Sequence, residues 1–331
     1  MKKLSSKVRP AVLCLSLMTI GLVSCKNNSK SEPEKEPETI TSADEKSEKD
    51  LFFDISLAEW SLHKPINAGE LSPMDFAERA NELGFDGIEY VSAFYQPYYE
   101  DAENPEAAFQ KMLDTLKAKS EKYNVENVLI MVDAEGALAV SDEGKRNQAV
   151  ENHKKWVDAA DFLGAHSIRV NLRGSKDPEE WKNNSVDALT KLGEYAATKN
   201  IGVIVENHGG LSSNAEMLVA VMDRVNLPNV GTLPDFGNFC IEGSIHDCKE
   251  KYPRYKGVKQ MMPYAKGVSA KSYNFNEAGE ETKMDYSKLL QIVKDAGYTG
   301  FIGIEYEGTE LPPKEGILAT KALLIEAGSK L

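Results

Sequence analysis

The sequence predicts an α/β chain whose body closes as a (β/α)8 barrel. From residue 51 onward short apolar runs alternate with longer amphipathic ones, eight runs are strand-like, and the body of about 280 residues suits eight βα units. The strand-like runs are 54–57, 87–90, 128–132, 167–172, 201–206, 230–235, 267–272 and 301–306. Helical periodicity fills 73–83, 107–123, 149–163, 179–198, 215–225, 286–296 and 313–327. Ser72 before Pro73 reads as an N-cap followed by proline in the first turn. Gly84, Gly164 and Gly297 each follow a periodic segment, where glycine takes the left-handed position that ends a helix. The irregular link is 236–266, long enough to form a lid. An open doubly wound sheet is the alternative arrangement.

The first 50 residues read differently. Lys2, Lys3, Lys7 and Arg9 precede an apolar run over 11–23, and those 13 residues fall short of the about 20 that a membrane-spanning helix needs. The run ends Leu22-Val23-Ser24-Cys25, which resembles the lipobox of bacterial lipoproteins. That resemblance implies a signal peptide over 1–24, lipidation of Cys25, and a protein held in the cell envelope by its lipid anchor alone. Residues 26–50 are dominated by Lys, Glu, Ser, Asn and Pro, with Ile40 as their only large aliphatic, so 25–50 is expected to be a flexible tether before the barrel at 51–331.

Lys and Arg total 39 against 52 Asp and Glu, a net charge of −13. That balance argues against a nucleic-acid partner, whose phosphates are bound mainly by clustered Lys and Arg. Of four cysteines, Cys14 would leave with the signal and Cys25 would be lipidated; Cys240 and Cys248 remain, eight apart in the long link, where the oxidising compartment that the signal implies would let a disulfide persist.

Barrel chemistry gathers where strands end and βα loops begin. Those positions carry Glu59, Trp60, Glu89, Asp133, Asn171, Arg173, Glu206, His208, Asp235, Asn238, Lys271, Glu305 and Glu307. Glu206, Asp235 and Glu305 each close an apolar strand, and converging carboxylates repel unless a cation or proton joins them. A divalent metal held by these three is therefore expected. Trp60, at the end of the first strand, is placed either to stack on a bound ring or to close the barrel end. Asn171 and Arg173 share a face, as do Glu206 and His208. Glu89 has the same placement, Glu307 is expected at the rim, and His153 and His166 are expected on the surface.

Glu206-Asn207-His208, Asp235-Phe236-Gly237-Asn238 and Gly303-Ile304-Glu305-Tyr306 resemble motifs of the xylose-isomerase-like TIM-barrel superfamily of sugar isomerases and epimerases. The resemblance implies a divalent metal held by Glu206, Asp235, Ser269 and Glu305. It also implies a sugar or sugar derivative as substrate, and isomerisation or epimerisation by proton transfer next to a carbonyl through a metal-bound enediolate. Glu206 and Glu305 would be the base and acid, and Lys271 would stabilise an enediolate oxygen. Trp60, Glu89, Asn171, Arg173, His208 and Asn238 would bind substrate. Ser269 stands where the family has histidine, so the expected ligands are mostly oxygen, which favours Mg²⁺ or Mn²⁺ over Co²⁺ or Zn²⁺. His208 or His246 is a further candidate ligand. A carbohydrate-binding lipoprotein without catalysis and a lyase on oxidised glycosides are the competing readings.

Overall fold

The structure, a computed structural model, describes residues 48, 51–243 and 247–331. The expected signal peptide, Cys25, His246 and all of the tether but residue 48 lie outside the described residues.

In chain order the elements are β1 (Asp54–Ala58), α1 (His63–Asn67), α2 (Phe76–Glu82), β2 (Gly87–Val91), α3 (Pro105–Tyr123), β3 (Glu126–Met131), α4 (Glu143–Leu163), β4 (Ser167–Val170), α5 (Pro178–Ala197), β5 (Gly202–Glu206), α6 (Ala215–Val225) and β6 (Val230–Leu233). They continue with β7 (Cys240–Gly243), β8 (Cys248–Lys251), α7 (Arg254–Met261), β9 (Val268–Ser272), α8 (Tyr286–Asp295), β10 (Phe301–Tyr306) and α9 (Pro313–Gly328). Eight strands form one parallel sheet in the order β6-β5-β4-β3-β2-β1-β10-β9. Parallel bridges Thr232–Ala265 and Asp235–Ser269 draw the outer strands together, so the barrel is nearly closed. The expected eight-stranded barrel is the observed one.

Local chemistry sets the helix ends. Asn104, Asp142, Asp177, Asn214 and Asp285 each accept a backbone N–H from the first turn of the helix they cap. Gly164 ends α4 in the left-handed region, with φ 79°. Ser72 caps as expected, but the turn it starts, Pro73–Asp75, is a 3-10 turn and α2 begins only at Phe76.

The expected loop 236–266 carries instead an antiparallel pair of strands, β7 and β8, followed by α7. Cys240 and Cys248 are joined across that pair by a disulfide with Cα atoms 5.7 Å apart. The pair went unforeseen because its strands are short, charged and half-exposed, with no apolar alternation to reveal them.

Most of the core lies between sheet and helices; a smaller cluster of Ala58, Val91, Leu129, Met131, Ile204 and Leu233 fills the barrel interior. Because side chains alternate across a strand, inward Ile204 fixes Glu206 as inward, and inward Leu233 fixes Asp235. The interior therefore turns from apolar to ionic at the carboxyl ends of the strands.

Candidate metal centre and sugar cavity

Glu206 ends β5, Asp235 lies two residues beyond β6, and Glu305 lies near the end of β10. All three are buried, and each offers a carboxylate oxygen within 4.8 Å of the others. Asp235 is fixed by its own turn: the backbone N–H groups of Gly237 and Asn238 both donate to its Oδ1 at 2.7 Å. Asn207 holds that turn, accepting from the Asp235 N–H at 2.7 Å and donating to the Asp235 and Asn238 carbonyls. A side chain at Gly237 would lie 2.6 Å from Lys271 Cγ, so the close approach of turn and strand requires glycine there.

Two buried cations partly compensate the triad. Lys271 Nζ donates to Glu305 Oε1 at 2.6 Å and lies 3.3 Å from Glu307 Oε1 and 3.9 Å from Asp235 Oδ2. Arg169, from β4, lies 3.0 Å from both Asp133 and Glu206. The approach of Arg169 Nε to Glu206 Oε2 has the distance of an ion pair without hydrogen-bond alignment, which leaves Oε2 a buried oxygen lacking a donor. Burial pushes Glu206 and Asp235 up to about 7, against the opposing pull of Arg169 on the first and Lys271 on the second. Burial alone would lower Lys271, but Glu305, Asp235 and Glu307 outweigh it and hold the ammonium well above its ordinary value. Asp133 shows the reverse balance: burial would raise it, and Arg169 holds it low.

These residues fit a divalent cation. The donor set is carboxylate oxygen, one buried oxygen of Glu206 is without a donor, and the remaining oxygens are oriented by amides, the Ser269 hydroxyl and the Lys271 ammonium. Ser269 is buried and donates to Asp235 Oδ2 at 2.7 Å while reaching Glu305 Oε2 at 3.3 Å. It thus bridges two of the carboxylates, a role distinct from that of a histidine ligand.

Above the triad opens a cavity of about 670 Å³. Trp60, Asn171, Arg173 and His208 line it together with Glu305. Trp60 stacks between His63 at 4.8 Å and Phe94 at 5.6 Å, and its indole N–H donates to Glu307 at 2.6 Å. Glu307, expected at the rim, is therefore a cavity residue held by Trp60 and Lys271. Burial first, then Arg169 and Lys271, lowers His208 and favours its neutral form.

Two expected substrate contacts lie elsewhere. Glu89 is buried below the cavity, accepting from Ser56 at 2.6 Å beside Gly303, where any side chain would collide with its carboxylate. Asn238 spends its side-chain amide on Glu206 Oε1 at 2.9 Å, so it orients a carboxylate. His153, expected on the surface, is 2% exposed and lines the cavity. Arg169 and Asn207 were missed. Arg169 shares strand parity with Asn171, the signal that could have found it; Asn207 sits inside the quoted Glu206-Asn207-His208 run.

A family model described as a xylose isomerase-like TIM barrel matches residues 77–327. A D-tagatose 3-epimerase-like protein is similar in structure, with TM-score 0.63 and 19% identity over 83% of this chain and 97% of that one. So is the IOLI protein with a bound zinc atom, with TM-score 0.62 and 18% identity over 84% of this chain and 99% of that one. At these identities the likenesses establish the fold. A 48-residue segment is 44% identical to the 3'-dehydrocarminate deglycosidase alpha subunit of Microbacterium sp., and it spans only 14% of either chain.

Proposed function

The chain belongs to the xylose isomerase-like TIM-barrel family, and from that premise we propose that it is a divalent-metal-dependent sugar isomerase or epimerase. The observation that carries this reading is the convergence of Glu206, Asp235 and Glu305 within 4.8 Å beneath a cavity walled by Trp60. The oxygen donors favour Mg²⁺ or Mn²⁺, although the similar IOLI protein holds zinc.

A cation bound there would polarise the carbonyl of a keto sugar and acidify the adjoining C–H. The chain's own residues then move the proton. Glu206, oriented by Asn238 and Arg169, and Glu305, oriented by Lys271 and Ser269, would serve as base and acid on opposite faces of the sugar. One removes the proton next to the carbonyl; the other returns a proton to give the isomer. Lys271, between Glu305 and Glu307, would supply positive charge on the side of the site where a sugar oxygen gains charge as the proton leaves.

The short match to a deglycosidase subunit supports a second reading in which the same abstraction ends in elimination. A C–H bond breaks with its proton passing to a glutamate, and the electron pair expels a β-alkoxy group, which leaves as the alcohol after protonation. A 3-keto-glucoside separates the readings, since isomerisation returns an intact glycoside and elimination releases the aglycone.

The direct test is hydrogen exchange from a ketose or 3-keto-glucoside in D₂O, with and without chelator. Exchange should require the metal, and Glu305→Gln should lower it at least ~100-fold, the range lost when a general acid–base group is removed, while metal uptake persists. Exchange that survives both chelation and E305Q overturns the reading. We further propose that Cys25 carries a lipid anchor; Cys25→Ser should release the protein from membranes, because a cleaved signal leaves no hydrophobic anchor.

A further inference from the structure

His153 is an unexpected wall residue. It lies inside α4, whose ends are capped by Asp142 and Gly164, yet its ring reaches the cavity. The connection after β3 brings it there. Ala134 and Gly136 both adopt left-handed backbone, at φ 67° and 98°, and a side chain at Gly136 would lie 3.0 Å from Ala149 Cβ. The loop therefore presses on α4 one turn before His153. Glu135 clamps the contact, accepting from the Trp156 indole and pairing with Lys155, each at 2.7 Å.

The imidazole's chemistry is set by its helix. His153 Nδ1 lies 2.7 Å from the Ala149 carbonyl, which can only accept, so Nδ1 carries the proton. A neutral ring in that tautomer presents a lone pair at Nε2. Burial lowers its pKa and keeps it neutral. No hydrogen bond among the described residues reaches Nε2.

We propose that His153 is a substrate-binding residue whose Nε2 accepts a hydrogen bond from a hydroxyl of an uncharged polyol chain. The inference deepens the reading of the cavity as a sugar site and rests on it. A neutral acceptor pairs with a hydroxyl but offers no donor to a phosphate or carboxylate, so at this position an uncharged sugar is favoured over a sugar phosphate or sugar acid.

The test uses the full chain with ¹⁵N-labelled histidine, and D-fructose, methyl β-D-glucoside and D-fructose 6-phosphate as probes. Long-range proton–nitrogen NMR should show His153 protonated at Nδ1 alone, with Nε2 shifting when D-fructose or the glucoside is added. His153→Leu should weaken binding of the responding sugar about tenfold, the size of one neutral hydrogen bond. His153→Gln, which keeps an acceptor, should recover most of it, and Mn²⁺ uptake should be unchanged in both. A proton on Nε2, an Nε2 unmoved by both neutral sugars, a preference for the phosphate ester, or unweakened binding in H153L overturns the proposal. If H153L does not fold, the parent spectra and H153Q decide it. A sugar-dependent Nε2 shift without any hydrogen exchange would count against isomerase activity while leaving His153 as proposed.

Discussion

Glu59, just after β1, and Glu206, at the end of β5, are both sealed from solvent, at 0% and 1% exposure, yet they keep different company. Glu59 accepts from the Val91 N–H and meets the Tyr95 hydroxyl, each at 2.8 Å, and among the described residues no cation pairs with it. Burial, only partly opposed by these hydrogen bonds, pushes it up to about 8. Glu206 has Asp235 and Glu305 as neighbours and Arg169 against it. A lone buried carboxyl can neutralise itself with a proton, whereas three together, with Lys271 and Arg169 among them, form an ionic centre that can exchange one cation for another. Burial is common to both regions; the count and spacing of charges divide a structural carboxyl from a candidate metal centre.

The harshest way to break this contrast is Lys271→Met. It removes a cation that is 1% exposed and leaves Glu305 and Glu307 without their partner. The metal-free protein should lose ~3–5 kcal/mol in urea unfolding, the cost of orphaning one side of a buried pair. Added Mn²⁺ should restore part of that loss; an unchanged midpoint without metal would mean that the triad needs no counter-cation. Asp235→Asn should act in the opposite sense on the apo protein, easing repulsion and raising its stability. Its Mn²⁺ affinity should fall more than ~100-fold, beyond the 10–100-fold typical of outer-shell partners. Asn238→Ala sharpens the comparison further. It deletes only the amide that orients Glu206, so affinity should fall about tenfold with little change in fold stability.

Much of this contrast is legible before folding is considered. Runs such as Ile201–Val205 are apolar on both faces because parallel strands are covered by helices outside and packed residues inside, which marks them as barrel strands. Strand parity then aims Glu206 and Glu305 inward. Parity does not fix depth, however. Glu89 lies in the middle of β2, paired with Leu129 of β3, whereas Glu305 lies near the end of β10, so the Glu89 side chain is below the cavity. Arg169 was hidden because a buried guanidinium within Ile168–Val170 is interpretable only once Asp133 and Glu206 are seen to flank it. His153 could not be placed from helical periodicity, since its position depends on the left-handed turn at Ala134 and Gly136.

Glu59→Gln tests the other half of the comparison and should have its smallest effect at acid pH, below about pH 4.5, where the parent carboxyl is protonated in both folded and unfolded chain. Tyr95 has one hydroxyl proton but two acceptors in reach, Glu59 Oε1 at 2.8 Å and the Pro73 carbonyl at 3.2 Å. A protonated Glu59 resolves this by donating to Tyr95, which then donates to Pro73, while the other carboxyl oxygen accepts from Val91 N–H. A glutamine reproduces the pattern, its amide N–H taking the place of the acid proton. Because the folded-state pKa, about 8, lies above the unfolded value of 4.5, the folded protein holds more protons between those limits. The wild-type contribution is therefore complete below about pH 4.5, declines as pH rises by at most ~1.4 kcal/mol per unit, and levels off above about pH 8. In E59Q that decline is absent, so the variant should gain on the parent steadily from pH 5 to pH 8 in paired urea titrations, with the difference constant above about pH 8. A difference that stays flat across the whole range would show that Glu59 is ionised in the fold, and would place it with the charged carboxylates of the triad.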